Sequence, residues 1–217
     1  MKTKSFSIPV SESIGNVSAE VIEPSSPRAV LALAHGAGAD MHHRFMKELA
    51  EALAGQKVTV VRYNFPFTES GKGRPDPPAV AEKTVSSVIQ KVHDLYPKLP
   101  LFAGGKSFGG RMTTQYVSRN PLPFLSGIIL FGFPLHAPGR ASTERGDHLK
   151  AIAIPLLFLQ GTRDALADIK LITKVAAGLK SATLKTFEGA DHSFKSGKKE
   201  FIPDLAGSAV AWMDSLL

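Results

Sequence analysis

Short, almost continuously apolar segments alternate with longer amphipathic segments from residue 29 onward. Strands that are buried on both faces lose the alternation of apolar and polar positions, so this pattern is typical of a parallel sheet covered by helices. It predicts strands at Ala29–Ala34, Val58–Tyr63, Leu101–Gly105, Gly127–Phe133, Pro155–Gln160 and Thr183–Phe187. A turn-like segment separates residues 4–9 from residues 17–22, and this pattern predicts an antiparallel hairpin at the edge of the sheet.

Apolar residues at helical spacing fill the stretches between these strands. The predicted helices are His43–Ala54, Pro78–Leu95, Gly109–Arg119, Asp168–Leu179 and Pro203–Leu216. The segment Pro134–Leu149 is predicted to be a loop with at most one short helical turn, which leaves no room for a large lid. The pattern therefore predicts a doubly wound α/β fold with a mostly parallel sheet, helices on both faces, and a single domain over residues 1–217.

Composition narrows the possible chemistry. The chain of 217 residues contains no cysteine, which excludes disulfides, thiolate metal sites and a cysteine nucleophile. No apolar leader or membrane-spanning run is visible, so we expect a cytoplasmic protein with no membrane association. The net charge of +7 is spread along the chain and is not concentrated on one element, so no nucleic-acid partner is expected.

Ser107 lies in the segment Gly105-Lys106-Ser107-Phe108-Gly109, directly after a predicted strand and directly before a predicted helix. A serine held in a strained turn at this point projects its hydroxyl from the carboxyl end of the sheet, and the crowded turn requires small residues two positions away on either side. Gly105 and Gly109 meet that requirement. The alternative is a glycine-rich turn in which Ser107 caps the helix.

This segment resembles the nucleophile elbow of the α/β-hydrolase superfamily, in which an acid and then a histidine follow the serine along the chain. At the matching positions the chain has Asp164, in Gly161-Thr162-Arg163-Asp164, and His192, in Gly189-Ala190-Asp191-His192. The resemblance implies a triad of Ser107, His192 and Asp164. Taken singly, Asp164 is equally suited to a turn or helix cap, and His192 to a solvated loop. Asp168 is a second candidate for the acid, whereas Asp191 should point away from its neighbour's ring.

The segment Ala34-His35-Gly36-Ala37-Gly38 follows the first parallel strand and is similar to the oxyanion loop of the same superfamily. The resemblance implies that the backbone N–H groups of Ala37 and Phe108 bind the oxyanion of a tetrahedral intermediate. His35 is expected to hold the loop by hydrogen bonding. A phosphate-binding turn is the alternative, but the loop lacks the lysine and hydroxyl residue of a P-loop.

Within the superfamily, the chain resembles the small, lidless, dienelactone-hydrolase-like branch. Phe65, Phe67 and His136 lie beyond the carboxyl ends of other strands and are candidate pocket residues, with plain packing as the alternative. Dienelactone hydrolases proper carry cysteine as the nucleophile, so their substrate cannot be transferred to a chain with Ser107.

The resemblance implies a serine hydrolase that cleaves small or medium carboxylic esters through an acyl-enzyme, with a small-molecule acyl substrate and neither a metal nor a cofactor. An alternative is a binding or scaffold protein, because the same branch resembles a subunit of a chromatin-associated acetyltransferase complex. A basic cluster after His192 could attract anionic substrates, or could simply be a solvated loop: Lys195, Lys198 and Lys199. The sequence does not determine the oligomeric state.

Overall fold

Eight strands form one sheet in the order β1-β2-β4-β3-β5-β6-β7-β8 in the computed structural model, which describes all residues 1–217. The strands β1 and β2 pair antiparallel, β2 joins β4 antiparallel, and every other neighbouring pair is parallel. Their bounds are β1 Lys2–Ser11, β2 Gly15–Glu23, β3 Ala29–Ala34, β4 Val58–Tyr63, β5 Leu101–Lys106, β6 Leu125–Phe131, β7 Leu156–Gly161 and β8 Ala182–Phe187. A separate hairpin is formed by β9 Lys195–Ser196 and β10 Lys199–Glu200.

Helices cover both faces of the sheet. The six α-helices are α1 Arg44–Gly55, α2 Pro66–Glu69, α3 Pro78–Leu95, α4 Phe108–Arg119, α5 Ile169–Ala177 and α6 Ile202–Asp214. Apolar residues of α3, α4 and α5 form one core with one face of the sheet, and those of α1 and α6 form a second core with the other face. No helix is both long enough and apolar enough to span a membrane. The predicted fold class, a doubly wound sheet with an antiparallel hairpin at its edge, is therefore confirmed.

Two strands differ from the predicted pattern for identifiable reasons. We predicted Gly127–Phe133, but β6 ends at Phe131, because Gly132 takes a φ of +72° that no extended strand can accommodate. We also expected Thr183–Phe187 to be buried and nearly continuously apolar. Instead β8 is the last strand of the sheet and most of its side chains are at least partly exposed.

The prediction of a loop with at most one helical turn over Pro134–Leu149 was wrong in part. Glu144–Ala151 forms a 3₁₀ helix of eight residues, anchored by the buried Leu149. Gly146 lets this helix pack closely against the connection after β6, since a Cβ there would lie 3.1 Å from Leu135 Cδ1. The segment is largely polar and has little helical periodicity, so the hydrophobic pattern contained no signal for it.

Candidate active site

Ser107 is the single residue between β5 and α4, and its backbone is strained. Its φ of 50° and ψ of −113° lie outside the regions that non-glycine residues normally adopt, which costs roughly 1–3 kcal/mol. A Cβ on Gly105 would lie 2.4 Å from the Ala34 carbonyl oxygen, and a Cβ on Gly109 would lie 2.6 Å from Ala34 Cβ. The expected requirement for small residues on both sides of Ser107 is thus confirmed.

A continuous hydrogen-bonded chain links Ser107, His192 and Asp164. His192 Nε2 lies 2.9 Å from Ser107 Oγ, and His192 Nδ1 lies 2.7 Å from Asp164 Oδ2. Because a carboxylate can only accept, Nδ1 donates its proton to Asp164, which leaves Nε2 free to accept from the serine hydroxyl. The three residues follow β5, β7 and β8, whose carboxyl ends meet at one edge of the parallel sheet. Such a chain can transfer a proton from the serine to the imidazole.

Asp164 is buried and held on both oxygens. Its side chain is 1% exposed. Gln160 Nε2 donates to Oδ2 at 2.6 Å, and the Leu166 backbone N–H donates to Oδ1 at 2.8 Å. Gln160 is itself fixed, since its Oε1 accepts from the Phe133 backbone N–H at 3.0 Å. Sequence reasoning missed Gln160, although a polar residue at the end of an apolar strand, four positions before Asp164, is a signal that could have identified it.

The other two aspartates near the site are engaged elsewhere. Asp168, the second candidate for the acid, caps α5 by accepting from the backbone N–H groups of Lys170 and Leu171. Asp191 accepts from the backbone N–H groups of Ser193 and Lys195. Asp164 is therefore the carboxylate that hydrogen-bonds to the His192 ring.

The loop after β3 and the first residue of α4 each place a backbone N–H group near Ser107. Neither the Ala37 nor the Phe108 N–H donates to any protein acceptor. His35 holds the loop as expected: Nδ1 donates to the Gly36 carbonyl at 2.8 Å and Nε2 accepts from the Phe65 N–H at 3.1 Å. Burial lowers the pKa of His35, so the ring stays neutral and fills both roles. Two free N–H groups beside a serine hydroxyl are the arrangement that can stabilise a developing oxyanion.

A cavity of about 520 Å³ opens next to Ser107. It is lined by residues of the β3 loop, the beginning of α1, the elbow, and the segment from His192 to β10. A cavity of this size suits a small molecule. No group of three His, Asp or Glu side chains lies close enough together to hold a metal ion.

The three candidate pocket residues do not line this cavity. Phe65 and Phe67 are buried and pack edge-on against the Phe108 ring, with centroids 5.2 and 6.2 Å away; Phe67 also reaches a second, shallower cleft beside Ala37. His136 accepts from the Asp168 N–H at 2.7 Å and donates to the Ala137 carbonyl at 2.9 Å. Phe65 and Phe67 therefore pack against the nucleophile elbow, and His136 holds the turn at Asp168. This is the alternative of plain packing given above.

Ion pairs surround the mouth of the cavity. Arg44 pairs with Glu48 and Glu200, both at 2.7 Å, and Lys195 pairs with Glu200 at 2.9 Å. Of the basic cluster after His192, only Lys195 lines the cavity, and Lys199 instead lies over the Phe201 ring. Much of the positive charge expected at the mouth is thus neutralised.

Comparison with known proteins agrees with this fold. Residues 27–203 match the family of alpha/beta hydrolase domains. Mouse monoglyceride lipase is 28% identical over 135 residues, and the match spans 61% of this chain but only 42% of the lipase. XC6422 of Xanthomonas campestris, an a/b serine hydrolase without lid, has a TM-score of 0.77 and 21% identity over all of this chain and 96% of its own. A dienelactone hydrolase of Anabaena variabilis has a TM-score of 0.78 and 16% identity, covering 99% of this chain and 97% of its own. The structural likenesses show a shared fold, and because the family match covers most of the chain, the protein belongs to the alpha/beta hydrolase family.

Proposed function

We propose that the protein is a serine hydrolase that cleaves carboxylic esters of small or medium size. In this proposal Ser107 is the nucleophile, His192 the general base and Asp164 the residue that orients it. The observation that carries the proposal is the 2.9 Å hydrogen bond between His192 Nε2 and Ser107 Oγ at the edge of an open cavity. A serine hydroxyl alone is too weakly acidic to attack an ester near neutral pH. An imidazole at this distance can accept the hydroxyl proton during the attack, which makes the oxygen a stronger nucleophile.

Acylation begins when Ser107 Oγ attacks the ester carbonyl carbon and His192 Nε2 takes the hydroxyl proton. The carbonyl oxygen becomes an oxyanion, which accepts hydrogen bonds from the Ala37 and Phe108 N–H groups, each worth about 3 kcal/mol in such a site. Collapse of the intermediate breaks the bond to the alcohol, which leaves with the proton from His192. Asp164 stabilises the imidazolium during this cycle.

Deacylation repeats these steps with water as the nucleophile. His192 accepts a proton from the water, whose oxygen attacks the acyl carbon, and then returns that proton to Ser107 Oγ as the acid leaves. The same two N–H groups stabilise the second oxyanion. One ester and one water are thus converted to one acid and one alcohol.

Three observations support ester substrates of small or medium size. The cavity of about 520 Å³ lies within the usual range for small-molecule sites, and the segment between β6 and β7 adds only one 3₁₀ helix. The similar proteins include a monoglyceride lipase and a dienelactone hydrolase, names that denote cleavage of carboxylic esters or lactones.

Covalent labelling together with an ester series tests the proposal. A fluorophosphonate probe should label the wild type but not Ser107→Ala. The values of kcat on 4-nitrophenyl esters should fall by about 10⁴-fold or more in Ser107→Ala and His192→Ala. Ser118→Ala, at the far end of α4, is the matched control, since its hydroxyl donates to the Gln115 carbonyl, away from the cavity. The ester series should show an optimum at short or medium acyl length.

Either of two results would contradict the proposal. Labelling that is equal in the wild type and Ser107→Ala would mean that Ser107 is not the nucleophile. A wild type that is neither labelled nor active on any ester would favour the alternative of a hydrolase fold used for binding.

A further inference from the structure

Lys106, directly before Ser107, carries an ammonium group that is shut off from solvent. Its Nζ is inaccessible and makes no hydrogen bond. It lies between the rings of Phe45 and Phe194, 5.9 and 5.5 Å from their centroids. An aromatic ring at such a distance attracts a cation through its face. The ammonium is therefore held in place by packing and not by a bond to a carboxylate.

The ammonium lies on the Nδ1 side of the His192 ring, where that ring meets Asp164. A Cβ placed on Gly132 would be 3.2 Å from Lys106 Nζ and 3.5 Å from both Cε1 and Nδ1 of His192. The two nitrogens therefore lie within about 7 Å of each other, a distance at which charges still interact strongly in a site that excludes water. His192 Nδ1 in turn lies 2.7 Å from Asp164 Oδ2.

Asp164 has no charged hydrogen-bond partner while His192 is neutral. Its side chain is 1% exposed, and its donors are the Gln160 amide, the Leu166 N–H and the His192 ring. A buried carboxylate without a compensating positive charge favours protonation of a neighbouring imidazole, because the imidazolium would supply that charge. A protonated His192 cannot accept the serine proton.

Lys106 brings a positive charge into this buried region. Asp164, and after it Asp191, are the carboxylates that act on its ammonium. Burial lowers the pKa of Lys106 to about 8, so the group is still mostly charged at neutral pH. Because the ammonium acts through space, both Asp164 oxygens keep the hydrogen bonds that hold them.

The other charged or titratable side chains around the cavity have partners of their own. Arg44 and Lys195 form ion pairs with glutamates of α1 and β10, and the ring of His43 caps α1. Asp191 accepts from two backbone N–H groups. Lys106 thus carries the one charge of the cavity lining that no ion pair offsets.

We propose that Lys106 is a positioning residue: its buried ammonium keeps Asp164 ionised while His192 is neutral, so that Nε2 is free to accept the serine proton. This inference rests on the proposed hydrolase function. Lys106 does not bond to the reacting atoms and acts through its electric field at the Asp164–His192 pair. Removal of its charge should therefore change the pH at which activity is lost, and not only the size of the activity.

The pH dependence of kcat/KM on a neutral 4-nitrophenyl ester tests this role. Lys106→Met keeps the length of the side chain between the two rings but removes the charge, which makes protonation of His192 easier. The midpoint of the acid limb should therefore rise by about 1–2 pH units. Relative to its value at pH 9, kcat/KM at one pH unit below the wild-type midpoint should fall by about 10- to 100-fold. At pH 9 the difference should be smallest, because the wild-type ammonium has by then largely lost its own proton.

Two further variants separate the charge from the packing. Lys106→Arg, which keeps the charge, should keep a midpoint close to that of the wild type. Lys198→Met is the matched control, because Lys198 is exposed and does not line the cavity. A midpoint that is the same in the wild type and Lys106→Met, with activity lowered equally at every pH, would overturn the proposal and indicate a role in packing alone. An equal shift in Lys198→Met would overturn it as well.

An NMR titration of the wild type keeps the test decisive if Lys106→Met does not fold. The His192 Cε1–H resonance is identified by its absence from the spectrum of His192→Ala. It should shift once as the ring loses its proton, and again near pH 8 as Lys106 loses its proton, since Cε1 lies close to the ammonium. A resonance that shows only one step would overturn the proposal.

Failure of the proposed hydrolase function has a different signature. The wild type would then be neither labelled by the fluorophosphonate probe nor active on any ester at any pH. Failure of the role of Lys106 would instead leave an active protein whose acid midpoint does not depend on the charge at this position.

Discussion

Gln160 helps to orient Asp164, because its amide bridges the carboxylate to the backbone after β6. We predict that Gln160→Met, which keeps the length but removes both hydrogen bonds, lowers kcat on a neutral ester by about 10-fold, the effect of one lost hydrogen bond to a charged group. KM should change little, since Gln160 does not line the cavity.

The split between kcat and KM distinguishes positioning from general damage. The rate of fluorophosphonate labelling should fall together with kcat. The midpoint of urea unfolding measures the stability of each variant, and so shows whether the variant is still folded in the absence of urea. Thr162→Val is a comparison on the same side of the sheet, since the Thr162 hydroxyl accepts from the Gly189 N–H and does not contact Asp164. A kcat unchanged in Gln160→Met would show that Leu166 and His192 suffice to hold the carboxylate.

Some residues of the site could be predicted from the sequence and others could not. Ser107 was identifiable because a strained turn restricts the residues around it, and Gly105 and Gly109 carry that restriction in the chain itself. Gln160 was missed because its role depends on neighbours that only folding brings close. The sequence left His136 open between a pocket role and plain packing, since its position beyond a strand does not reveal that both ring nitrogens are engaged.

Among the elements, α6 packs on the sheet through Trp212. A Cβ on Gly127 would lie 2.7 Å from the Trp212 ring, and the ring meets Phe102 edge-on with centroids 5.9 Å apart. We predict that Trp212→Ala lowers the free energy of unfolding by about 3–5 kcal/mol, as for other large buried aromatic residues. Urea denaturation followed by circular dichroism measures this change.

Leu216→Ala provides the comparison, because Leu216 lies just beyond α6 and is 39% exposed. Its effect should stay within about 0.5 kcal/mol, as for ordinary surface positions. Similar small losses in both variants would mean that α6 contributes little to the stability of the fold.

Strands and helices were predictable where burial is complete and less so elsewhere. The bounds of β3 and β4 agree with the pattern because every residue in them is buried. The end of β6 depended on the left-handed conformation of Gly132, and the 3₁₀ helix at Glu144–Ala151 depends on packing against α4 and Leu135, neither of which appears as periodicity.

At the scale of the whole molecule, His148 should make stability depend on pH. Burial, together with the nearby positive charges of Arg111 and Arg119, lowers the pKa of His148 to about 4. Its Nε2 donates to Thr114 Oγ1 at 2.9 Å, which ties the 3₁₀ helix to α4. The ordinary pKa is 6.5, so between about pH 6.5 and about pH 4 the unfolded chain binds more protons than the folded one, and acidification destabilises the fold.

We predict that the difference in unfolding free energy between the wild type and His148→Gln shrinks as the pH falls from about 7 to about 4. Urea titrations at several pH values measure it, and the subtraction removes the contribution of the carboxylates common to both proteins. His42→Gln, at an exposed position, serves as the parallel variant. A difference that does not vary with pH would show that His148 is protonated as readily in the folded state as in the unfolded chain.

The short connection between β6 and β7 has a consequence for the fate of the acyl group in the proposed reaction. Because this connection adds no cap over the cavity, an acyl group on Ser107 would face bulk solvent throughout its lifetime. Water would then reach it without competition from a bound second substrate, and any added alcohol would compete only in proportion to its concentration. The open architecture thus favours net hydrolysis over acyl transfer, with the balance between the two set by the surrounding medium and not by a movement of the protein.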